Sequence, residues 1–212
     1  MEVTRINRPE FDADTEGRMR TLTFAWLLAE VVPKGERLLD LGAGACIFAQ
    51  RAVNAGYSVT AVDARAVRRP EELDERINFV EADVRDFEPA EEPDVVAVLG
   101  LLYHLPLNEQ SDLLERFRDR TVILDTQIHD PHLVTDAAAE WATEFVSTDD
   151  GYEGVVFPET DNPMASVGNP ESFWHTEDSL FRLVKDCGYE NATAIEPVYV
   201  SKYGARKFYV LS

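Results

Sequence analysis

The run Val95-Val96-Ala97-Val98-Leu99 leaves few folds open to this chain. Five consecutive apolar residues, with no polar alternation, need cover on both faces of a strand, which a parallel sheet between helices supplies. Shorter runs of strand length recur at Arg37–Leu41, Ser58–Val62, Ile77–Val80 and Thr121–Leu124. They alternate with amphipathic stretches of helical length. One covers Thr15–Val31, with Leu22, Trp26 and Leu27 on one face; a second runs to Asn54 and closes at Gly56; a third covers Asn108–Arg118. A fourth spans Thr176–Cys187 and is capped by Gly188. Such alternation marks βαβ units. The final strands, Ala192–Val200 and Arg206–Leu211, are joined only by the segment around Lys202-Tyr203-Gly204, which suits an antiparallel hairpin and not a crossover. The expected fold class is α/β, a three-layer sandwich around a seven-stranded, mostly parallel sheet with an antiparallel C-terminal hairpin.

A length of 212 residues accommodates one such domain. It is expected to carry an N-terminal helical extension to about residue 33 and an insertion over about 126–170. That insertion is rich in Gly, Pro and Asp, with one helix expected over Asp136–Phe145. Long irregular segments inside compact domains are usually functional, so it is the candidate substrate lid. The N-terminus lacks the pattern of a secretory signal, and no run approaches the ~18 apolar residues of a membrane span. The chain is therefore expected to be soluble and cytoplasmic, with no membrane partner. Cys46 and Cys187 stand apart from any Cys or His cluster, which argues against a disulfide framework or a zinc site. A formal charge of −20 disfavours nucleic acid as a partner, because phosphate binding needs basic surface.

The strand Arg37–Leu41 leads into Gly42-Ala43-Gly44, a turn that allows close backbone approach by a ligand at the carboxyl edge of the sheet. A GxG turn alone is weak evidence. A dinucleotide fingerprint GxGxxG would place glycine at Ile47, and a bulky residue there is expected to block close packing of helix on strand. Asp40 suits a cationic ligand better than a pyrophosphate. Asp63, nineteen residues after Gly44, ends the next strand, where a carboxylate can accept hydrogen bonds from ribose hydroxyls. Asp83 follows the third strand as a candidate partner for the adenine amino group.

Together these residues resemble the class I, Rossmann-like S-adenosylmethionine (SAM)-dependent methyltransferases. The resemblance runs from about Arg37 to Leu105 by motif and reaches the C-terminal hairpin by topology. The family's acid-GxGxG motif is similar to Asp40-Leu41-Gly42-Ala43-Gly44-Ala45-Cys46, with Cys46 in place of the third glycine. By this resemblance SAM is the cofactor, held by Gly42, Ala43 and Gly44, by Asp63 with Ala64, by Asp83 with Val84, and by Leu99-Gly100. Gly100-Leu101-Leu102-Tyr103-His104-Leu105 further resembles a segment of uncharacterised bacterial methyltransferases and of enzymes that carboxymethylate the tRNA wobble uridine. Asn169-Pro170-Glu171-Ser172-Phe173-Trp174 is also similar to the uncharacterised group, and Arg20 matches a position that the resemblance assigns to the SAM carboxylate.

The expected reaction is methyl transfer to an oxygen or nitrogen of a small-molecule acceptor. His104 and His129 are the candidate bases, Tyr103 is a candidate for orienting the acceptor, and His175 with Phe173 and Trp174 belongs to the acceptor pocket or to packing. A metal site at His129, Asp130 and His132 is not favoured, since the acid cluster it needs is missing. Three alternatives stay open from sequence: RNA modification by methyl or carboxymethyl transfer, a nicotinamide-dependent oxidoreductase, and a SAM-binding protein without catalysis.

Overall fold

The computed structural model describes residues 1–136, 140, 144–159 and 167–212. Its central sheet joins β1 (Glu2–Asn7), β2 (Arg37–Leu41), β3 (Ser58–Asp63), β4 (Ile77–Glu81), β5 (Val95–Leu99), β6 (Thr121–Gln127), β10 (Asn191–Glu196) and β12 (Gly204–Leu211) in the order β1-β10-β12-β6-β5-β2-β3-β4. The short β11 (Tyr199–Ser201) attaches to β12. The block from β4 to β6 is parallel, and β12 is antiparallel to both its neighbours, β6 and β10. This is the expected α/β architecture.

Period-two alternation divides the core. In β2, Leu39 and Leu41 face a layer holding α3 (Leu107–Arg116) and α4 (Glu177–Asp186), while Leu38 faces α1 (Glu16–Trp26) and α2 (Ile47–Asn54). All five residues of β5 are buried, as their unbroken apolar run requires. Local signals start the helices as they should: Thr15 accepts a hydrogen bond from the Arg18 amide at the head of α1, and Thr176 accepts one from Ser179 at the head of α4.

Four expectations change. The sheet has more than seven strands, because the N-terminal segment is not a purely helical extension but begins with β1, paired in parallel with β10. Five of its six residues are exposed, so no hydrophobic period marked it. The strand expected over Ala192–Val200 breaks at Pro197, which has no N–H to give a ladder. In the opening helix the inward face is Thr23, Phe24, Leu27 and Leu28, with Leu22 and Trp26 only half buried, and the last turn, Leu27–Val31, is a π-helix. The insertion holds an antiparallel sheet of β7 (Phe145–Ser147), β8 (Glu153–Pro158) and β9 (Glu171–His175). Most of the helix expected over Asp136–Phe145 lies outside the described residues. Among the described residues no helix is long and apolar enough to cross a membrane.

An ion network locks the added strand in place. Lys207 of β12, 4% exposed, lies 2.8 Å from Glu177 and 2.5 Å from Glu196, and Arg5 of β1 binds the same two carboxylates. Burial raises both carboxyls, but hydrogen bonds from Arg5 and Lys207 outweigh it and hold them below their ordinary value of 4.5. Their contribution to stability is therefore present above that value and lost as the pH falls through the lowered folded-state values. Lys207→Met should cost about 2 kcal/mol at pH 7, less than a fully buried pair because the carboxylates are partly exposed. Urea unfolding at pH 7 and below pH 4 measures this, and the loss should shrink at the acid end.

Candidate functional site

The carboxyl ends of the parallel strands open onto one cavity of about 910 Å³. Along its wall lie Gly42, Ala43 and Gly44 after β2, Asp63 and Ala64 after β3, Asp83 and Val84 after β4, and Leu99, Gly100, Tyr103 and His104 after β5. Arg20 reaches it from α1. Of the expected site residues, Asp40 and His129 are missing from this wall.

The glycine turn is fastened to the end of β3. The Gly42 and Ala43 amides both donate to the Val62 carbonyl, at 2.8 and 3.0 Å, and the Gly44 amide donates to Asp63 Oδ2 at 2.8 Å. Asp63 Oδ1 accepts from the Arg65 amide. The three amides are thus committed and not free, contrary to the expectation for an anion-binding turn. Gly42 and Gly44 have φ of +74° and +51°, and Cys46, where the resemblance has a third glycine, takes φ of 56°. A side chain in this region costs about 1–2 kcal/mol, which Cys46 bears while its thiol is buried against the α1 and α2 layer.

Two arguments from sequence need correction here. Ile47 does not lie between helix and strand; it is 56% exposed at the cavity wall, and the close helix–sheet contact is made by the fully buried Ala49 and Ala52. Asp40 lies behind the turn, 1% exposed, because its place in β2 aims it under the first turn of α2. Burial pushes its carboxyl up to about 7; the Ala49 backbone N–H pulls the other way and Asp63 adds to the rise. Its Oδ2 has no hydrogen-bond partner. Asp40 therefore acts on the turn from beneath and does not face a ligand.

Asp83 is on the wall but already engaged. Arg85 chelates it, also reaches Glu109, and donates to Asn169 Oδ1 and the Val167 carbonyl of the insertion. The hydrogen bonds from Arg85 hold the Asp83 carboxyl below the usual range against a smaller opposing effect of burial.

At the centre of the edge is a group that sequence reasoning missed. Asp125 of β6 is fully buried and binds two guanidinium groups: Arg20 at 2.6 Å, and Arg206 of β12 at 2.8 and 2.9 Å. Arg206 continues to the Tyr103 hydroxyl at 3.0 Å, and Arg20 to the Leu99 carbonyl. Burial would raise Asp125, but the two positive charges outweigh it and hold the carboxyl below the usual range. Gly100, at φ +85°, is squeezed between the arginines; a Cβ there would lie 2.8 Å from a nitrogen of each. The available signal was Arg206-Lys207 inside an otherwise apolar strand.

The insertion completes the far end. His104 Nδ1 lies 2.7 Å from Oε1 of Glu159, which is 3% exposed and also accepts from Ser172 Oγ. Asn169 Nδ2 donates to the His104 carbonyl. Phe157 and Trp174 stack at 4.4 Å with an interplanar angle of 7°, and Tyr103 meets Trp174 edge-on. His129 lies beyond that stack in a small separate pocket, packed against Phe145, and burial lowers its pKa. His175 is not in the acceptor space: alternation along β9 turns it and Phe173 away from Trp174, its Nδ1 meets Ser179 Oγ, and burial pushes it down to about 3.

No family model matches this chain, and no curated protein matches it by sequence. Solved structures do match by fold. The N-terminal domain of EvdMO1, with S-adenosylhomocysteine (SAH) bound, has a TM-score of 0.65 at 19% identity over 91% of this chain and 79% of that one. The 1,6-didemethyltoxoflavin-N1-methyltransferase of Burkholderia thailandensis, with its namesake compound and SAH, gives 0.59 at 16% identity over 91% and 78%. The glycopeptide N-methyltransferase MtfA complexed with SAM gives 0.55 at 14% over 90% and 92%. The chain therefore has the Rossmann-like fold of these proteins.

The buried clamp can be broken without changing its shape. Asp125→Asn leaves Arg20 and Arg206 without their shared counter-charge and should destabilise the fold by about 3–5 kcal/mol. Chemical denaturation of the variant beside wild type measures it; a change below about 1 kcal/mol would show that the arginines find another anion.

Proposed function

We propose that this protein is a SAM-dependent methyltransferase that modifies an oxygen or nitrogen atom of a small-molecule acceptor. One observation carries the reading: a single cavity connects a carboxylate-bearing glycine turn, suited to a phosphate-free adenosine, with a histidine–carboxylate pair. The committed amides of Gly42, Ala43 and Gly44 and the charge of Asp63 beside them oppose a pyrophosphate, which supports SAM over a nicotinamide dinucleotide. The SAM- and SAH-bound structural neighbours support the same cofactor.

Asp63 has lone pairs remaining for the ribose hydroxyls, Val84 and Ala64 offer an apolar wall to the adenine, and the Leu99-Gly100 backbone with Arg20 faces the amino-acid end. Arg20 keeps its orientation through Asp125. Held there, SAM would supply an electrophilic methyl group. The chain's own part is alignment and removal of the acceptor's proton. With Glu159 as a carboxylate, His104 carries its proton on Nδ1, so Nε2 is the basic nitrogen. The insertion of about 126–170 is the proposed substrate lid, and its Glu159 meets His104.

RNA as acceptor is the weaker reading. A formal charge of −20 opposes the docking of a polyanion, and Arg20, Arg206 and Arg85 are already engaged by Asp125, Asp83 and Glu109.

Calorimetric titration should show binding of SAH and none of NAD; the reverse result would falsify the reading. Asp63→Ala should weaken SAH binding by about 1–3 kcal/mol. In a screen of hydroxyl- and amine-bearing acceptors with labelled SAM, His104→Ala should lower kcat by roughly 10²–10⁴ with SAH affinity intact. Glu159→Gln should show a smaller loss of the same kind. A variant series with unchanged kcat would remove His104 from the chemistry.

A further inference from the structure

The end of the cavity away from the glycine turn has a composition unlike the rest of the molecule. Its wall is built by four aromatic side chains, Tyr103, Phe157, Trp174 and Tyr203. Phe157 and Trp174 lie parallel, one stacked on the other at 4.4 Å, and Tyr103 and Tyr203 meet them edge-on at 80° and 79°, so the group forms a two-ring slab with two upright neighbours. A flat ring packs against such a slab better than a puckered one, because aromatic rings meet one another favourably edge to face or offset.

Two hydrogen-bond donors border the slab. Arg206 Nη1 donates to the Tyr103 oxygen, so the tyrosine's own O–H is directed elsewhere. Lys202, at the β11–β12 turn, lines the cavity with its ammonium over the Tyr203 ring at 5.0 Å and forms no salt bridge among the described residues. It is thus a positive charge on the cavity wall with no carboxylate partner among the described residues. It matches an anionic group on the occupant. His104, whose ring lies 4.2 Å from that of Tyr103, offers the opposite polarity, a nitrogen that accepts a proton.

From this arrangement we infer that the acceptor is a small aromatic acid. Its ring packs against the Phe157–Trp174 stack and Tyr103, its anionic oxygen faces Lys202 and the Tyr103 hydroxyl, and its nucleophilic hydroxyl or amine faces His104. The inference rests on the transferase reading and narrows its acceptor.

The test uses the full chain loaded with SAH, after titration has established that SAH binds. Three probes are then titrated with tryptophan fluorescence as the readout: 2-hydroxybenzoate, phenol, and cyclohexanecarboxylate. The expected result is that 2-hydroxybenzoate binds at least tenfold more tightly than either of the others, since only it has both the ring and the charge. Lys202 is exposed, so Lys202→Met should fold normally; it should bring the preference over phenol below threefold while leaving SAH affinity unchanged. Equal affinity for the three probes, binding of none, or a preference untouched by Lys202→Met overturns the aromatic acid alone. Failure of SAH to bind overturns the transferase reading and this inference with it.

Discussion

Everything at the carboxyl edge of the sheet depends on one buried charge. Asp125 has no exposure, and a carboxylate in that position is stable only if its charge and lone pairs are answered. Arg20 answers from the first helix and Arg206 from the last strand, so three distant parts of the chain are fixed to one point. Because both guanidinium groups press on Gly100, the backbone after β5 has room for no side chain there. The same residue holds its place by donating its amide to the Asp125 carbonyl. The cavity wall at Leu99-Gly100 is thus set by electrostatics beneath it.

How much of this could be read from sequence differs by the range of the interaction. The parallel core was legible because the apolar runs of β2 to β6 are local patterns, and Val95–Leu99 admits few environments. Gly42, Gly44 and Asp63 were legible because backbone conformation and strand ends leave short-range marks. Asp125, Arg206 and Glu159 were not. Their partners are 81 or more residues away for Arg206 with Asp125, and 55 for Glu159 with His104, and no local period records such pairing. Arg206 and Lys207 left a trace, as two cations in a strand that is otherwise apolar, since buried charges need partners.

Where sequence reasoning erred, it mistook which way a side chain points. Asp40 and Ile47 were both weighed as though they met the ligand or the strand directly. Asp40 belongs to a strand and so follows its alternation into the α2 layer, while Ile47 opens a helix and so faces outward. His129 and His175 failed for a related reason, one beyond the aromatic stack and the other on the far face of β9. Of the histidines considered as bases, His104 alone lies on the main cavity, where a 3₁₀ turn after β5 delivers it.

The insertion acquires its meaning from what it touches. A β-sheet added beyond the core buries little apolar surface of its own, and its cluster of Val155, Phe157 and Trp174 is small. It is tied to the core by polar contacts as well: Glu159 and Asn169 to the His104 segment, Arg85 to Asn169 and Val167, and Leu105 and the buried Gln110 to the β9 backbone at Phe173. Hydrogen bonds of this kind contribute about 1 kcal/mol each and break more readily than packed apolar faces. The pair that would fix the catalytic tautomer of His104 is among those bonds, so removing the proton and covering the site would depend on the same contact.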